Sequence, residues 1–432
     1  MLTHTRRLGY RGLVAQYNCI KTLGYAALNE QGPDLTISNS YFCHPSKFDR
    51  PGSVTPQTNP FTALCPHFLW SAAQHAHDKP IITTEYNVAW GNQFKYADIM
   101  YTAYAALNGF SGLTRHETMN DLWRTKTADT FGSIVDRPLE TIAAFLFQRG
   151  DVSPARNRLI LEIPEAYATT GRTAGHSVST AQSRLALVSM FTIDVLRHGE
   201  PKPVTRPRDV RLPITGAADV TLHDWFVSQQ DGTAQFDDDA FVRTLRERKL
   251  LSPENLTDPA RGLWQSDTQE LLLDASAGTF TVRTPKSEAV TGAANTPFAL
   301  DTLRRLTSSV PATVSIHSLQ DDKPLRDADH LLLIYLTTAM NTDMARSYDS
   351  SRLVHNGKLP ILLQTGTLSA TLRLKPNQTY TLYPLANNGL RRAPITLRAD
   401  ANGLASLTLD TARLPHGPTF YFELVRQNPN AD

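Results

Sequence analysis

Lys79-Pro-Ile-Ile-Thr-Thr-Glu-Tyr-Asn87 is the stretch on which the fold turns. A proline near its start is followed by the β-branched residues Ile81–Thr84, and then by a carboxylate. Branching at Cβ restricts rotamers and favours extended backbone, so the run predicts a short buried strand. A carboxylate directly after such a strand is costly unless it is paired or used. Spacing alone fits a Glu in a surface loop between strand and helix equally well.

The same rhythm extends on both sides. Strand-like runs occur at Leu13–Tyr17, Leu35–Ser38 and Gly112–Thr114, with helical stretches expected over 61–77, 94–107 and 137–149. In the second, Phe94, Ala97, Tyr101, Tyr104 and Ala105 recur at helical spacing before the Asn108-Gly109 stop. The third opens at Asp136-Arg-Pro138 and ends at Gly150. Alternating strand and helix predicts a parallel sheet or barrel, and four such units make half of an eight-stranded barrel. Polar residues gather where each strand ends: Gln16-Tyr-Asn18, Asn39-Ser-Tyr-Phe-Cys-His44, Glu85-Tyr-Asn87 and Arg115-His-Glu117. In a barrel these ends converge on one face, where the chemistry sits.

Composition narrows the field. A chain of 432 residues is more than one core usually organises, which predicts two or three domains. Lys plus Arg (43) nearly balances Asp plus Glu (41), and this argues against a dedicated nucleic-acid binder with its basic stripe. No apolar run approaches the roughly 18 residues of a membrane span. The three cysteines exclude a four-thiolate zinc site and a disulfide scaffold. No metal or cofactor is expected, since no phosphate loop, dinucleotide fingerprint or nucleophile elbow is present. Met1–Tyr10 lacks the layout of a signal peptide. It reads as the last turn of a helix stopped at Gly9, as if the chain opened inside a domain.

After residue 150 the pattern changes. Residues 151–262 are expected to be a connecting α/β region, with a strand at Arg158–Ile163, a helix near 180–197 capped by Ser179 or Thr180, and another helix from Asp237 to Leu250. From 263 to 432 short alternating strands separated by turns predict β-sandwich modules, with a division near 345–365. His75 and His77 are expected at a solvent-facing helix end, because residues two apart do not share a helix face.

Lys79-Pro-Ile-Ile-Thr-Thr-Glu-Tyr-Asn87 resembles the seventh strand of the clan A glycoside hydrolases. Ser38-Asn-Ser-Tyr-Phe-Cys-His-Pro45 is similar to the sixth-strand segment of large bacterial members. Trp264–Glu270, Phe280–Pro285, the run from His330 and Asn341–Met344 resemble the β-rich region that follows the barrel in those proteins. The resemblance implies α/β plus all-β architecture: strands five to eight of a (β/α)8 barrel, then sandwich domains. It implies a retaining β-glycosidase acting on a carbohydrate, with Glu85 as nucleophile. The general acid/base, the Glu of an Asn-Glu pair ending the fourth strand, would lie upstream; Asn29-Glu30 follows the first strand and does not fit. Asn18, Asn39, His44, Asn87 and His116 become expected sugar-hydroxyl partners, Tyr41 or Tyr86 the group holding Glu85, and Trp90 a stacking surface. The resemblance also favours an exported parent enzyme. In an oxidising compartment Cys43 and Cys65 could pair. The chain as given is expected to turn over unactivated glycosides poorly, and a silent carbohydrate-binding or scaffolding protein is the alternative.

Overall fold

The computed structural model describes residues 2–15, 22–47, 50–89, 91–116, 134–169, 183–196, 208–213, 226–228, 234–236 and 238–427. Helix α1 (Leu2–Arg7) ends at Gly9, whose φ of +87° is the left-handed stop its position predicts. After α2 (Leu23–Gln31), three expected strands form a parallel sheet in the order β1 (Thr36–Phe42), β2 (Ile81–Val88), β3 (Gly112–Arg115). The first expected strand is represented by one parallel bridge, Ala15 to Leu35, beside the start of β1. These parallel segments do not close into a barrel among the described residues.

Helices α3 (Pro66–Ala72) and α4 (Ile99–Leu107) pack behind the sheet, and α5 (Asp136–Ala143) continues into a wider π-type turn at Ala144–Gln148. No helix among the described residues is long and apolar enough to cross a membrane. Cys43 and Cys65 are both free thiols.

A second parallel sheet has the order β5 (Met190–Leu196), β4 (Arg158–Pro164), β6 (Asp209–Pro213). The helix expected over 180–197 is replaced by a tight turn at Arg184–Leu187 and then β5. Phe191, Thr192, Ile193, Asp194 and Val195 are all buried, so this strand is covered on both faces and shows no alternation to read. Ser179 and Thr180 lie outside the described residues.

His75 and His77 also depart from expectation. Helix α3 stops at Ala72, and the chain then runs beside β5: the His77 N–H donates to the Ile193 carbonyl (2.6 Å) and the Ile193 N–H to that of His75 (2.8 Å). Both imidazoles are buried and not in solvent, His75 edge-on to Phe110 and His77 bonded to Thr192 of β5. One continuous apolar core runs from Phe68 and Tyr104 through Leu159 and Phe191 to Phe280 and Ile334.

That core continues because the large antiparallel sheet is covered twice. Its nine strands are, in spatial order, Ile395–Arg398, Thr379–Pro384, Tyr421–Arg426, His330–Leu336, Ala312–Ser318, Ser287–Gly292, Thr279–Arg283, Leu271–Asp274 and Leu263–Gln265. Val314, Ile316, Leu333, Tyr335 and Phe422 face a three-stranded sheet (Leu303–Ser308, Thr367–Arg373, Leu404–Asp410), and together they form the sandwich core. The alternate residues Leu332, Ile334 and Leu336 join the α/β core instead.

The second face also carries a polar clasp. The Ser287 hydroxyl donates to Asp151 Oδ2 (2.5 Å), so the 2.6 Å contact between Ser287 Oγ and His317 Nδ1 requires the imidazole to donate. His317 Nε2 then accepts from Ser315 Oγ (2.9 Å), and the ring stacks on Phe145. Here serine bridges aspartate and histidine, and all are buried, so the trio joins the two cores.

Burial holds two imidazoles neutral. It pushes His75 down to about 4 and, with the Arg149 charge adding to it, His317 down to about 3. Unfolded, each takes up a proton near pH 6.5. Between that pH and the folded value the unfolded state binds more protons, so stability falls on acidification by about 1.4 kcal/mol per pH unit for each histidine. Urea unfolding at pH 7, 6 and 5 is expected to show this slope, with His317→Gln removing one proton's share. An identical slope in the variant would refute the assignment.

Candidate active site

A bulge delivers Glu85 to its position. β1 and β2 pair regularly from Thr36–Ile81 to Ser38–Thr83, but Asn39 then faces Glu85, which leaves Thr84 as an extra residue. The Thr83 hydroxyl bonds that of Tyr101 (2.9 Å), and Tyr86 stacks on the Tyr101 ring at 4.3 Å between centroids. Both therefore point at α4, although residues three apart face opposite sides of a regular strand. The two residues between them go to the other face: the Thr84 hydroxyl donates to Asn39 Oδ1 (2.5 Å), and the Tyr41 hydroxyl donates to the Glu85 carboxylate. On β1 the alternation sorts the same way. Ser40 and Phe42 meet His67 behind the sheet, while Asn39 and Tyr41 share the Glu85 face.

Two histidines flank Tyr41 edge-on, His44 at 6.0 Å and His116 at 5.9 Å between ring centroids. After Phe42 the chain turns through Cys43, at φ +58°, and His44 Nδ1 bonds the Pro45 carbonyl (2.9 Å). The His116 N–H donates to the Tyr86 carbonyl (3.1 Å), which ties the end of β3 to β2. Glu85, Tyr41 and His116 are half-buried and His44 is exposed.

Behind this face lies a buried charge network. The Arg115 guanidinium donates to Asp98 Oδ2 (2.5 Å), Asn87 Oδ1 (3.0 Å) and the Tyr86 hydroxyl (3.2 Å), and lies 3.5 Å from Asp136. Lys95 pairs with Asp136 (2.9 Å), and His67 Nε2 bonds Asp98 Oδ1 (2.9 Å). Burial favours neutral Lys95 and pushes its ammonium down, against the pull of Asp136. Cys65 Sγ lies 3.9 Å from His67 Nδ1, but burial pushes the thiol far up, so this sulfur fills space and does not act as a nucleophile.

The structure thus brings together Glu85, Tyr41, Asn39, His44 and His116. Tyr86, expected to hold Glu85 or line the site, and Asn87, expected to meet the sugar, are buried in the network: Tyr86 reaches Thr102 and Arg115, and Asn87 accepts from Arg115 and Lys95 while donating to the His116 carbonyl. They position the strand end, and Tyr41, not Tyr86, holds Glu85. Asn18, Trp90 and Glu117 lie outside the described residues. Asn29 sits in α2, away from any strand end, where its carbonyl receives Lys79. Arg115, Asp98, Lys95 and Asp136 had no signal in the sequence as a group, since they come from separate elements. Among the described residues, no group of three or more histidine, cysteine, aspartate or glutamate side chains is arranged to hold a metal ion.

Removing the Tyr41 hydroxyl tests its positioning role. Tyr41→Phe is expected to slow any reaction at Glu85 on the order of tenfold, with thermal stability near that of the parent, because the lost bond is half-exposed. A rate equal to that of the parent would remove Tyr41 from the site.

Comparisons of the chain with family models, curated proteins and solved structures find no match.

Proposed function

We propose that Glu85 is the nucleophile of a retaining β-glycoside hydrolase site acting on an oligo- or polysaccharide. The observation that carries this reading is a carboxylate in the second half of a parallel strand, turned by a bulge onto the face away from the helices and held by a neighbouring tyrosine. A hydroxyl bound to one carboxylate oxygen fixes the rotamer and leaves the other free to attack an anomeric carbon. A retaining reaction also needs a second carboxyl group about 5–5.5 Å away to protonate the leaving oxygen and then activate water. The reading assigns that role to a group outside the described residues. A saccharide-binding protein on the same scaffold is the second reading, favoured by the polar and aromatic side chains of Asn39, Tyr41, His44 and His116 gathered on the Glu85 face.

A 2-deoxy-2-fluoro glycoside with a dinitrophenolate leaving group separates the two. Such a leaving group departs without protonation, so the nucleophile alone can form the glycosyl-enzyme. Peptide mass spectrometry is expected to find the sugar on Glu85. A chain that binds saccharide but stays unlabelled would support the binding reading and overturn the hydrolytic one.

A further inference from the structure

The sandwich sends an arm back over the loops that follow β1 and β2. Between the strands Ala339–Thr342 and Lys358–Leu363 the chain runs out through residues 345–355. There it pairs with the loop after β1: Val54 bridges Arg352, the Leu353 N–H donates to the Ser53 carbonyl (2.9 Å), and the Thr55 N–H to that of Ser351 (2.7 Å). The loop after β2 joins them. Gln57 Nε2 donates to the carbonyls of Gly91 (2.8 Å) and Ser350 (3.2 Å), and the Arg346 guanidinium lies so close to Gly91 that a Cβ there would sit 2.6 Å from it. Both loops follow the strands that carry Tyr41 and Glu85, which puts the arm tip at the carboxyl-terminal edge of the same sheet.

Hydrogen bonds brace the turn at the tip. Asp349 accepts from the hydroxyls of Ser347 (2.5 Å) and Ser351 (2.8 Å), and these bonds hold its carboxyl down at about 2. On this braced turn Tyr348 stands wholly in solvent. Lys47, Arg50 and Arg352 lie exposed along the same ladder, and their side chains have no ion pair among the described residues. An exposed aromatic face on the same backbone ladder as exposed cations suits a sugar ring bearing an acid group.

We propose that the arm tip is a subsite for an anionic saccharide chain, one bearing uronate or sulfate groups, with Tyr348 stacking on a ring and Lys47, Arg50 and Arg352 meeting its acid groups. The sugar class rests on the glycosidase reading; the charge is the addition. The test is affinity electrophoresis of the full chain carrying Glu85→Gln, in gels holding polygalacturonate, dextran sulfate, an uncharged β-glucan or DNA. Retardation by polygalacturonate or by dextran sulfate, but not by the glucan or DNA, is expected, and whichever polymer retards the chain identifies the acid group.

Tyr348→Ala should weaken binding about tenfold, and Arg50→Ala with Arg352→Ala should weaken it and flatten its salt dependence. All three positions are exposed, so folding is not at stake. Equal retardation by glucan or DNA, or binding indifferent to Tyr348→Ala, would overturn the proposal. Labelled Glu85 without such binding sinks only this inference. Binding without labelling sinks only the hydrolytic reading.

Discussion

Glu85→Gln is expected to abolish covalent labelling and to lower turnover of a dinitrophenyl glycoside on the order of a thousandfold or more. Glutamine keeps the shape of the side chain, and its amide oxygen can still accept the Tyr41 hydroxyl, so the local geometry should survive. What disappears is the oxygen that, on the proposed reading, forms the bond to the anomeric carbon. The dependence on leaving group sharpens the test. Where Glu85 acts without an acid partner, dinitrophenyl glycosides should react and methyl glycosides should not, because only the latter need a proton on the departing oxygen. Labelling of the Gln variant at the parent rate would show that the sugar attaches elsewhere, and the nucleophile assignment would fail.

The sequence made the first half of this strand legible, but β2 continues through Glu85 to Val88, so Glu85 lies within the strand and not after it, and its aim was not readable. Ile81–Thr84 marks the strand, yet β-branching says nothing about register, and the extra residue at Thr84 decides which face Glu85 takes. A regular strand would put Thr83 and Glu85 on one face and Tyr86 on the other. The bulge instead sends Thr83 and Tyr86 to α4 together. Burial on two sides hid other elements. β5 shows no alternation, and Ser287-Glu-Ala-Val-Thr-Gly292 is polar enough to pass for a loop, although it is buried throughout in the nine-stranded sheet. Its polar side chains are tolerated because partners from distant positions satisfy them: Ser287 by Asp151 and His317, Glu288 by the backbone N–H groups of Thr302 and Leu303. Those partners are set by tertiary contact, which local pattern does not encode. By contrast, the strands at Ile395–Arg398 and Leu404–Asp410 alternate plainly, with one face in the sandwich core, and were readable for that reason.

The bulge also explains why so much charge is buried behind Glu85. Turning Tyr86 toward α4 places its hydroxyl and ring beside Arg115, whose guanidinium lies 4.7 Å from the ring centroid. A buried guanidinium is tolerable only with partners, and Asp98, Asn87 and Asp136 provide them from three elements. The same bonds lock the ends of β2 and β3 to the helices, so the aim of the carboxylate on one face depends on ion pairs on the other.

Breaking that network should be the most destabilising single change in the α/β part. Asp98→Ala removes the acceptor of both Arg115 and His67, and is expected to cost about 3–5 kcal/mol in urea unfolding. The acid limb of the stability curve should change with it. Burial alone would raise the Asp98 carboxyl, but the Arg115 charge and the hydrogen bonds from His67 and Arg115 outweigh it and hold it below the usual carboxylate range. A depressed carboxyl stabilises fully above its unfolded value near pH 4, and that stabilisation is lost as pH falls through the lower folded value. Asp98→Ala should therefore lose this component of acid sensitivity. The Lys95–Asp136 pair supplies the contrast. Asp136→Leu leaves a buried ammonium without its carboxylate, whereas Lys95→Met with Asp136→Leu removes both charges, and the double variant should be the more stable of the two. If Asp98→Ala cost less than about 1 kcal/mol, the range of a surface ion pair, the network would not be what fixes the strand end behind Glu85.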